Sequence, residues 1–300
     1  MFTPKKLIIS LALLLSVIPA SAGTLVYVVN GPPTGSAQFG TIDLGTGAFN
    51  QIGPSTPEGS QGLVQGPNGS LLTLGFSGNL DSINPATGVS SLVGPTGLAD
   101  CSAPPTPPCG PHSSNSLASA GGGIYVTDFA NKLYKVNPAT GAATLVGPTG
   151  IPALPFTPLT VNPDGTFDAY DEGLFGANGK LYATFDAFTV NSVTFTTGSV
   201  VIAPDLYEID PTTGVATLIG PTGLNLGAVA DVNGTFYAFN GGTSQVVSLD
   251  LSNGHTTFVS NFDPVAGIVT GATATPEPAS FALAAFGIAA LALCRLRRRA

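Results

Sequence analysis

Apolar and polar residues alternate along short segments of this chain, and the segments come in pairs joined by a recurring turn. In the pair that begins at Leu206, Tyr207 and Ile209 alternate with polar neighbours, which is the period of a half-buried β-strand. The turn Asp-Pro-Thr-Thr-Gly follows at 210–214, where aspartate can cap the turn, proline sets φ and glycine supplies a left-handed position. A returning strand then ends at Gly-Pro-Thr-Gly. The pattern predicts a β-hairpin.

Five copies of this hairpin occur along the chain. They begin at Phe39, Leu80, Leu133, Leu206 and Val246. Their turn glycines are 41, 53, 73 and 40 residues apart, and the shorter spacings match one four-stranded propeller blade of about 40–50 residues. From the second copy onward, another strand pair with an Asn-Gly or Gly-Gly turn precedes the hairpin. An irregular β-solenoid and a sandwich are the alternatives, and the regular spacing favours an all-β propeller of five four-stranded blades.

The two ends of the repeat region predict how the ring closes. Only one strand, Thr24–Val29, precedes the first hairpin, whereas Val265–Ala272 resembles the strand that is missing there. We therefore expect Val265–Ala272 to complete the first blade, which removes an open sheet edge.

Three segments are longer than the repeat requires. They are 100–116, 151–172 and 187–205. We expect them to be long loops on one face of the ring, which is often the binding face of a repeat protein.

The first 22 residues have the order of a secretory signal peptide. Lys5 and Lys6 precede an apolar run, and Ala20-Ser21-Ala22 forms a small-residue cleavage site. This predicts export by the Sec route and cleavage after Ala22. The alternative is an N-terminal membrane anchor, but a run of about a dozen apolar residues is short for a span.

The last residues combine a proline-flanked motif, an apolar run and a basic cluster. They are Pro276, Glu277 and Pro278, the run 279–294, and Arg295, Arg297, Arg298 and Arg299. The run predicts a short C-terminal transmembrane helix, and the arginines place its end on the cytoplasmic side.

This three-part ending resembles the PEP-CTERM sorting signal of Gram-negative bacteria. The resemblance covers about the last 26 residues and implies that an exosortase, a membrane protease-like enzyme, processes the tail. It also implies a host that makes extracellular polysaccharide or biofilm matrix. The chain then divides into a signal peptide at 1–22, a propeller-like domain at 23–275 and a sorting segment at 276–300.

The charge of the middle domain limits its partners. Residues 23–275 contain three lysines and sixteen acidic residues, which gives a net charge of −13. Such a domain is expected to repel nucleic acid and anionic lipid, and it favours cations or neutral polymers as partners.

Two cysteines bracket a proline-rich stretch. Cys101 and Cys109 are predicted to form a disulfide, because exported proteins mature in an oxidising compartment. A metal site there is a poor alternative, since His112 is the one further nitrogen or sulfur ligand nearby.

Acidic residues are the remaining candidates for chemistry, because the sequence contains no recognisable catalytic motif. Asp164, Asp168, Asp171 and Glu172 lie close together, and oxygen ligands at close spacing suit Ca²⁺. Their spacing is not that of an EF-hand loop, so a solvated acidic loop without cofactor is the favoured interpretation, and a Ca²⁺ site is the alternative.

Three further aspartates, Asp128, Asp186 and Asp231, lie in or beside predicted blade strands. They are expected either to line the propeller channel or to cap turns.

Two functions fit these observations. The first is a non-catalytic binding or scaffold protein of the cell surface or extracellular matrix, associated with exopolysaccharide or biofilm. Its partners would be an exosortase, the membrane through the C-terminal helix, and polysaccharide or surface proteins. The alternative is a propeller hydrolase or lyase acting on extracellular polysaccharide or a lactone, with paired carboxylates. In both cases the protein is anchored in the inner membrane facing the periplasm before it reaches the surface or matrix.

Overall fold

A computed structural model describes residues 24–31, 37–54, 59–75, 77–98, 116–128, 130–152, 162–191 and 197–275. Across these ranges the chain forms twenty β-strands and two short 3₁₀ turns. The strands are grouped in five antiparallel sheets of four, so the predicted all-β propeller with five four-stranded blades is confirmed.

The four strands of each blade follow one another from the centre of the ring outwards. Blade 1 contains β20 (Ile268–Ala274), β1 (Leu25–Gly31), β2 (Gln38–Asp43) and β3 (Phe49–Gln51). Blade 2 contains β4 (Ser60–Gln65), β5 (Leu71–Gly75), β6 (Asn79–Ile83) and β7 (Ser90–Pro95). Blade 3 contains β8 (Leu117–Ala120), β9 (Gly123–Thr127), β10 (Lys132–Val136) and β11 (Ala143–Pro148). Blade 4 contains β12 (Thr166–Ala177), β13 (Lys180–Asn191), β14 (Thr197–Ile209) and β15 (Ala216–Pro221). Blade 5 contains β16 (Ala228–Val232), β17 (Thr235–Asn240), β18 (Gln245–Leu249) and β19 (Thr256–Asn261).

The inner strands form the ring. Contacts run from β20 to β4, β8, β12 and β16, and β16 returns to β20. The two ends of this ring differ. At the turn end lie the connections between the first and second strands and between the third and fourth strands of every blade. At the loop end lie the remaining connections, both within blades and from one blade to the next.

Ring closure follows the prediction. The strand β20 pairs antiparallel with β1, and Ala272 lies opposite Val28. The predicted limits of the closing strand are wrong at both ends. It begins at Ile268, because Pro264–Ala266 forms a 3₁₀ turn whose first amide is capped by Asp263, and it continues to Ala274.

Glycines allow the inner strands to touch. Every contact between neighbouring inner strands has a glycine whose missing side chain faces the adjoining backbone. These glycines are Gly62, Gly173, Gly176, Gly227 and Gly271. A Cβ on Gly176 would lie 1.7 Å from the carbonyl oxygen of Ser119, and one on Gly62 would lie 2.3 Å from the Leu117 nitrogen. No larger residue fits at these two positions without a backbone shift.

The repeated motif Gly-Pro-Thr-Gly forms the outer joint between blades. A Cβ on the turn glycine Gly141 would lie 2.3 Å from the carbonyl oxygen of Gly94 in the preceding blade. Blades 3 and 4 meet in the same way, and so do blades 4 and 5. The motif threonine is also structural: Thr149 donates its buried hydroxyl to the Asn131 carbonyl at 2.7 Å. The repeat visible in the sequence is therefore largely the repeat of this joint.

Apolar side chains are buried between blades rather than at one centre. Five clusters occur, each between two neighbouring blades. The cluster between blades 5 and 1 includes an edge-to-face pair, Phe239 and Phe262, whose ring centroids are 5.8 Å apart. Each blade is therefore stabilised by its two neighbours, which makes closure of the ring important for all five.

Blade 4 corrects one prediction. Much of the sequence expected to form long loops at 151–172 and 187–205 is strand, because β12, β13 and β14 are 12, 12 and 13 residues long. Pairing continues to Thr166 opposite Asn191 and to Val190 opposite Thr197. The physical reason is that paired strands satisfy the backbone hydrogen bonds that a long loop leaves open.

Several predictions concern parts of the chain outside the described residues. These are the signal peptide at 1–22, the disulfide between Cys101 and Cys109, and the sorting segment at 276–300. None of the helical segments in the described ranges has the length and apolar content of a membrane span.

Candidate functional site

The loop end of blade 4 differs most from the rest of the ring. Residues 166–172, 187–191 and 197–205, called the blade 4 extension, continue the first three strands of that blade beyond its neighbours. Five residues of strand add about 17 Å at about 3.3 Å per residue. The extension is therefore a raised, three-stranded structure at one side of the loop end.

Irregular pairing shapes the outer edge of the extension. The register between β13 and β14 shifts three times between Phe185 and Val190. Bulges of this kind bend a strand and change the direction of its side chains. Here the consecutive residues Val200 and Val201 are both exposed, to 63% and 46%. Between Gly198 and Ala203 this edge carries no charged residue.

The other side of the extension is packed. Ala187 and Phe188 are buried, and Ile202 contacts the apolar cluster between blades 3 and 4. One side thus holds the extension on the ring, while the exposed valines are available for contact with a partner.

Three aspartates, Asp171, Asp186 and Asp205, belong to the strands at the base of the extension. Asp186 is buried, and Asp171 lies opposite it in the strand register. Burial raises the pKa of the Asp205 carboxyl above its usual value, and it also raises the pKa of Tyr207, with a smaller contribution from Asp205. Perturbed carboxyls are a common property of functional sites, although structural sites have them too.

The residues considered as Ca²⁺ ligands lie one after another along β12 and the turn that precedes it. Asp164 lies in the turn before β12, and its Oδ1 accepts hydrogen bonds from the Thr166 hydroxyl at 2.7 Å and the Thr166 amide at 3.0 Å. These bonds hold the pKa of Asp164 below its usual value.

The backbone of Asp168, Asp171 and Glu172 belongs to β12. Four residues of strand separate the Cα atoms of Asp168 and Glu172 by about 13 Å. Among the side chains that the structure describes, no group of three or more His, Cys, Asp or Glu could hold a metal ion. The solvated acidic loop without cofactor stays a prediction, and a Ca²⁺ site stays its alternative.

Of the three aspartates predicted to line the channel or cap turns, Asp128 and Asp231 cap turns. Asp128 accepts the amides of Ala130 and Lys132 at 2.9 Å and the Tyr134 hydroxyl at 2.8 Å. Burial, and secondarily Asp128, raises the pKa of Tyr134 to about 12. Asp231 accepts the Gly234 amide at 2.8 Å, and it also lines the channel.

The central channel is narrow. Its cavity has a volume of about 160 Å³ and is lined mainly by glycine, small polar residues and aliphatic residues of the inner strands. Of its described lining, Asp231 alone is charged. Glycoside hydrolysis commonly needs two carboxyl groups about 5–9.5 Å apart, so this lining supplies one of the two.

Thr127 and Asn131 form a buried polar pair that the hydrophobic pattern of the sequence does not predict. The Thr127 hydroxyl and the Asn131 side-chain oxygen are buried without a hydrogen-bond partner. The equivalent residues of blade 2 are Leu74 and Gly78, so a position-by-position comparison of the repeats would have revealed the change. Asn131 donates its amide to the Ile151 and Pro152 carbonyls at 3.3 and 3.1 Å, where the chain leaves blade 3.

The turn end contains a shallow depression of about 480 Å³. The turns of blades 2, 3 and 4 surround it, together with Gln65, Lys135 and Asp231. The Gln65 side chain donates to the Ala274 carbonyl at 3.2 Å. The chain therefore leaves the ring at the rim of this depression.

Comparison with known families identifies the C-terminal segment. Residues 274–299 match the family model of the PEP-CTERM protein-sorting motif, which confirms the predicted sorting signal. The match begins at the last residue of β20. The chain is thus an exosortase-sorted extracellular protein with a propeller fold, and it is anchored in a membrane by its C-terminus before sorting to the cell surface.

Three solved structures resemble the chain at low identity. A chain of the nidogen/laminin complex is 12% identical, with a TM-score of 0.46 and coverage of 83% of this chain and 97% of that one. The glutaminyl cyclase of Myxococcus xanthus is 15% identical, with a TM-score of 0.37 and coverage of 75% and 74%. BamB of Moraxella catarrhalis is 9% identical, with a TM-score of 0.32 and coverage of 79% and 69%. Likenesses this weak say nothing about function. No curated protein matches the chain.

Proposed function

We propose that this protein is a non-catalytic binding protein of the extracellular matrix, whose blade 4 extension binds neutral exopolysaccharide. The observation that carries the proposal is a sorting motif joined directly to a closed ring with one raised, uncharged edge at its loop end. A biofilm or matrix scaffold needs such a surface, and it needs no reaction centre.

Charge supports a neutral ligand. The domain has a net charge of −13, with three lysines against sixteen acidic residues, and this disfavours anionic polymers. The exposed edge at Val200 and Val201 offers apolar area and free backbone groups of an edge strand, which suit the apolar faces and hydroxyls of a sugar.

We also propose the route to the surface. The N-terminal segment directs the chain to the Sec pathway, and the anchored intermediate in the inner membrane faces the periplasm. Mature protein should begin at Gly23 on N-terminal sequencing. Protease added to spheroplasts should degrade the domain, and protection of the domain from that protease would contradict the proposed orientation.

The binding test compares two exposed valines. Val200→Asp places a charge on the extension, where Val200 is 63% exposed, and Val89→Asp places the same charge at the turn end, where Val89 is 51% exposed. In co-sedimentation of the full chain with exopolysaccharide from the host, Val200→Asp should weaken binding about tenfold, or about 1.4 kcal/mol. Val89→Asp should bind like the unmodified chain. Equal binding by all three proteins would remove the extension as the binding surface.

The second candidate function is a hydrolase or lyase acting on extracellular polysaccharide or a lactone. It is favoured by the raised pKa of Asp205, whose partner in the strand register, Phe185, directly precedes the buried Asp186. Release of reducing ends or acid by the unmodified chain, lost in Asp205→Asn, would establish this alternative. Binding without turnover supports the scaffold.

A further inference from the structure

We infer that the turn end of the ring lies against the lipid head groups while the protein is anchored, so that the loop end and the blade 4 extension point away from the membrane. This inference rests on the proposed function, in particular on the C-terminal anchor. It goes further by identifying which end of the ring faces the membrane.

The direction in which the chain leaves the ring is fixed. The strand β20 is the inner strand of blade 1 and runs from the loop end to the turn end, where it finishes at Ala274. The Gln65 side chain holds the Ala274 carbonyl at 3.2 Å, and the Thr275 hydroxyl donates to the Leu25 carbonyl at 2.8 Å. The chain is therefore held at the turn end up to the last residue before Pro276.

The tether is shorter than the ring is tall. Three residues, 276–278, separate Thr275 from the apolar run, and a fully extended chain spans at most about 3.6 Å per residue, or about 11 Å here. A five-residue blade strand alone is about 17 Å long. A tether of this length cannot pass around the ring to bring the loop end to the membrane, so the turn end must face it.

The distribution of charge is compatible with this orientation. Among the described side chains, the acidic residues at the loop end are Asp128, Asp164, Asp186, Asp205 and Asp263, with Lys132. Those at the turn end are Asp43, Glu208, Asp210, Asp231 and Asp250, with Lys135 and Lys180, while Asp81 lies in the middle of β6. Lys180 pairs with Glu208 at 2.8 Å. Both ends are net acidic and are repelled by anionic head groups, so the tether, rather than adsorption, holds the turn end near the membrane.

The remaining surface of the turn end is built from uncharged turns. Gly-Pro-Asn-Gly at 66–69 and Asn-Pro-Ala-Thr-Gly at 84–88 and 137–141 are examples. These turns expose short polar side chains and backbone groups, which are compatible with hydrated head groups and offer no apolar segment for insertion.

The absence of tryptophan from the sequence makes a single introduced tryptophan a clean reporter. Ala139→Trp places it in an exposed turn at the turn end of blade 3, and Ala130→Trp places it in an exposed turn at the loop end of the same blade. The amide of each alanine donates to the side chain two residues earlier, Asn137 for Ala139 and Asp128 for Ala130, both at 2.9 Å. The two sites therefore have the same local turn geometry. The full chain would be reconstituted in phosphatidylcholine vesicles that carry nitroxide-labelled head groups.

We expect strong quenching of the tryptophan at position 139 and little quenching at position 130. Inserting ten Gly/Ser residues between Thr275 and Pro276 should reduce the difference, because such a linker spans about 17 Å on average. Equal quenching in vesicle-bound protein, or stronger quenching at position 130, would overturn the orientation alone. If the chain separates from vesicles on flotation, the anchor itself fails, and this inference fails with it.

Discussion

The inner and outer parts of the ring are built under different constraints. At the centre, strands touch through backbone, and a Cβ at Gly176 has no room. At the periphery, β7, β11, β15 and β19 are edge strands that expose a large apolar side chain at the same position. These side chains are Leu92, Leu145, Leu218 and Phe258, each 55–65% exposed. The difference indicates that backbone contacts at the centre constrain the blade geometry, whereas the exposed faces of the fourth strands tolerate variation.

The outer edges also show how such strands avoid pairing with other chains. In blades 2 to 5 the fourth strand has a bulge at the same place of the repeat, opposite the step from Leu80 to Asp81 in β6 and the equivalent steps in β10, β14 and β18. The fourth strand of blade 1 has only three residues. Bulges and short edge strands both hinder edge-to-edge association, so exposed leucines here do not by themselves indicate a dimer.

The strongest test of the central constraint removes the closing strand. Deletion of 265–272 takes away Ala266, Val269 and Ala272 from the cluster between blades 5 and 1 and exposes the edge of β1. We expect a loss of several kcal/mol in the free energy of unfolding, measured by thermal and denaturant melting. A truncated chain that melts like the full chain would contradict closure by this strand.

A glycine-to-alanine substitution should lower stability much more at the centre of the ring than in a turn. Gly176→Ala should destabilise the domain by about 3 kcal/mol, because backbone must move to accommodate the new Cβ. Gly179→Ala, three residues away, introduces a Cβ with no atom within 4 Å at a φ of +78° and should cost about 1 kcal/mol for the left-handed conformation. Equal losses in urea melts would show that the inner contact can relax.

A covalent tie between Cys101 and Cys109 is expected to have an intermediate effect. If Cys101 and Cys109 are joined, the loop of nine residues contributes about 2.6 kcal/mol in the chain-entropy model. Reduction, or Cys109→Ser, should lower the melting temperature accordingly. Mass spectrometry of exported protein checks the bond directly, and two alkylatable thiols in unreduced material would refute it.

Removing the hydroxyl of Thr127, which has no hydrogen-bond partner, should have a smaller effect on stability and should raise stability rather than lower it. Thr127→Val should stabilise the domain by about 1 kcal/mol, because it removes a buried polar group that has no partner. Thr149→Val, in the same blade, removes a hydroxyl that donates at 2.7 Å and should destabilise by about 1 kcal/mol. Loss of stability in both variants would mean that Thr127 binds a water molecule.

The smallest effect is expected at the periphery. Leu145→Ala changes a side chain that is 55% exposed and should alter stability by no more than about 0.5 kcal/mol. The melting temperature should also be independent of protein concentration. A larger or concentration-dependent loss would indicate that the outer row is covered by another copy.

Much of the fold could be predicted because the repeat is local. The turn at 210–214 and its four relatives predict hairpins, and the spacing of these hairpins implies blades. The match between the strand before the first hairpin and the segment at 265–272 was enough to predict closure.

Other features depend on contacts that no local pattern contains. Gly62 and Gly176 look like ordinary strand glycines, and only the ring brings them against Leu117 and Ser119. The sequence predicts loop for the extension of blade 4 because its alternation is interrupted, and the bulges of β14 explain the interruption. For the candidate site, sequence identified the sorting motif and the region of the extension, but not the exposed valines or the pKa shift of Asp205, which depend on burial.

The closing strand also constrains when the ring can form. The Thr275 hydroxyl contacts a carbonyl 250 residues earlier, so β1 has no inner partner until the last strand has been synthesised. At about 5–20 residues per second, β1 waits about 10–50 s for β20 after its own synthesis. Because contacts so distant in sequence form slowly, the ring stays open until the chain is nearly complete. The strand that closes it is also the one that leads directly into the sorting motif.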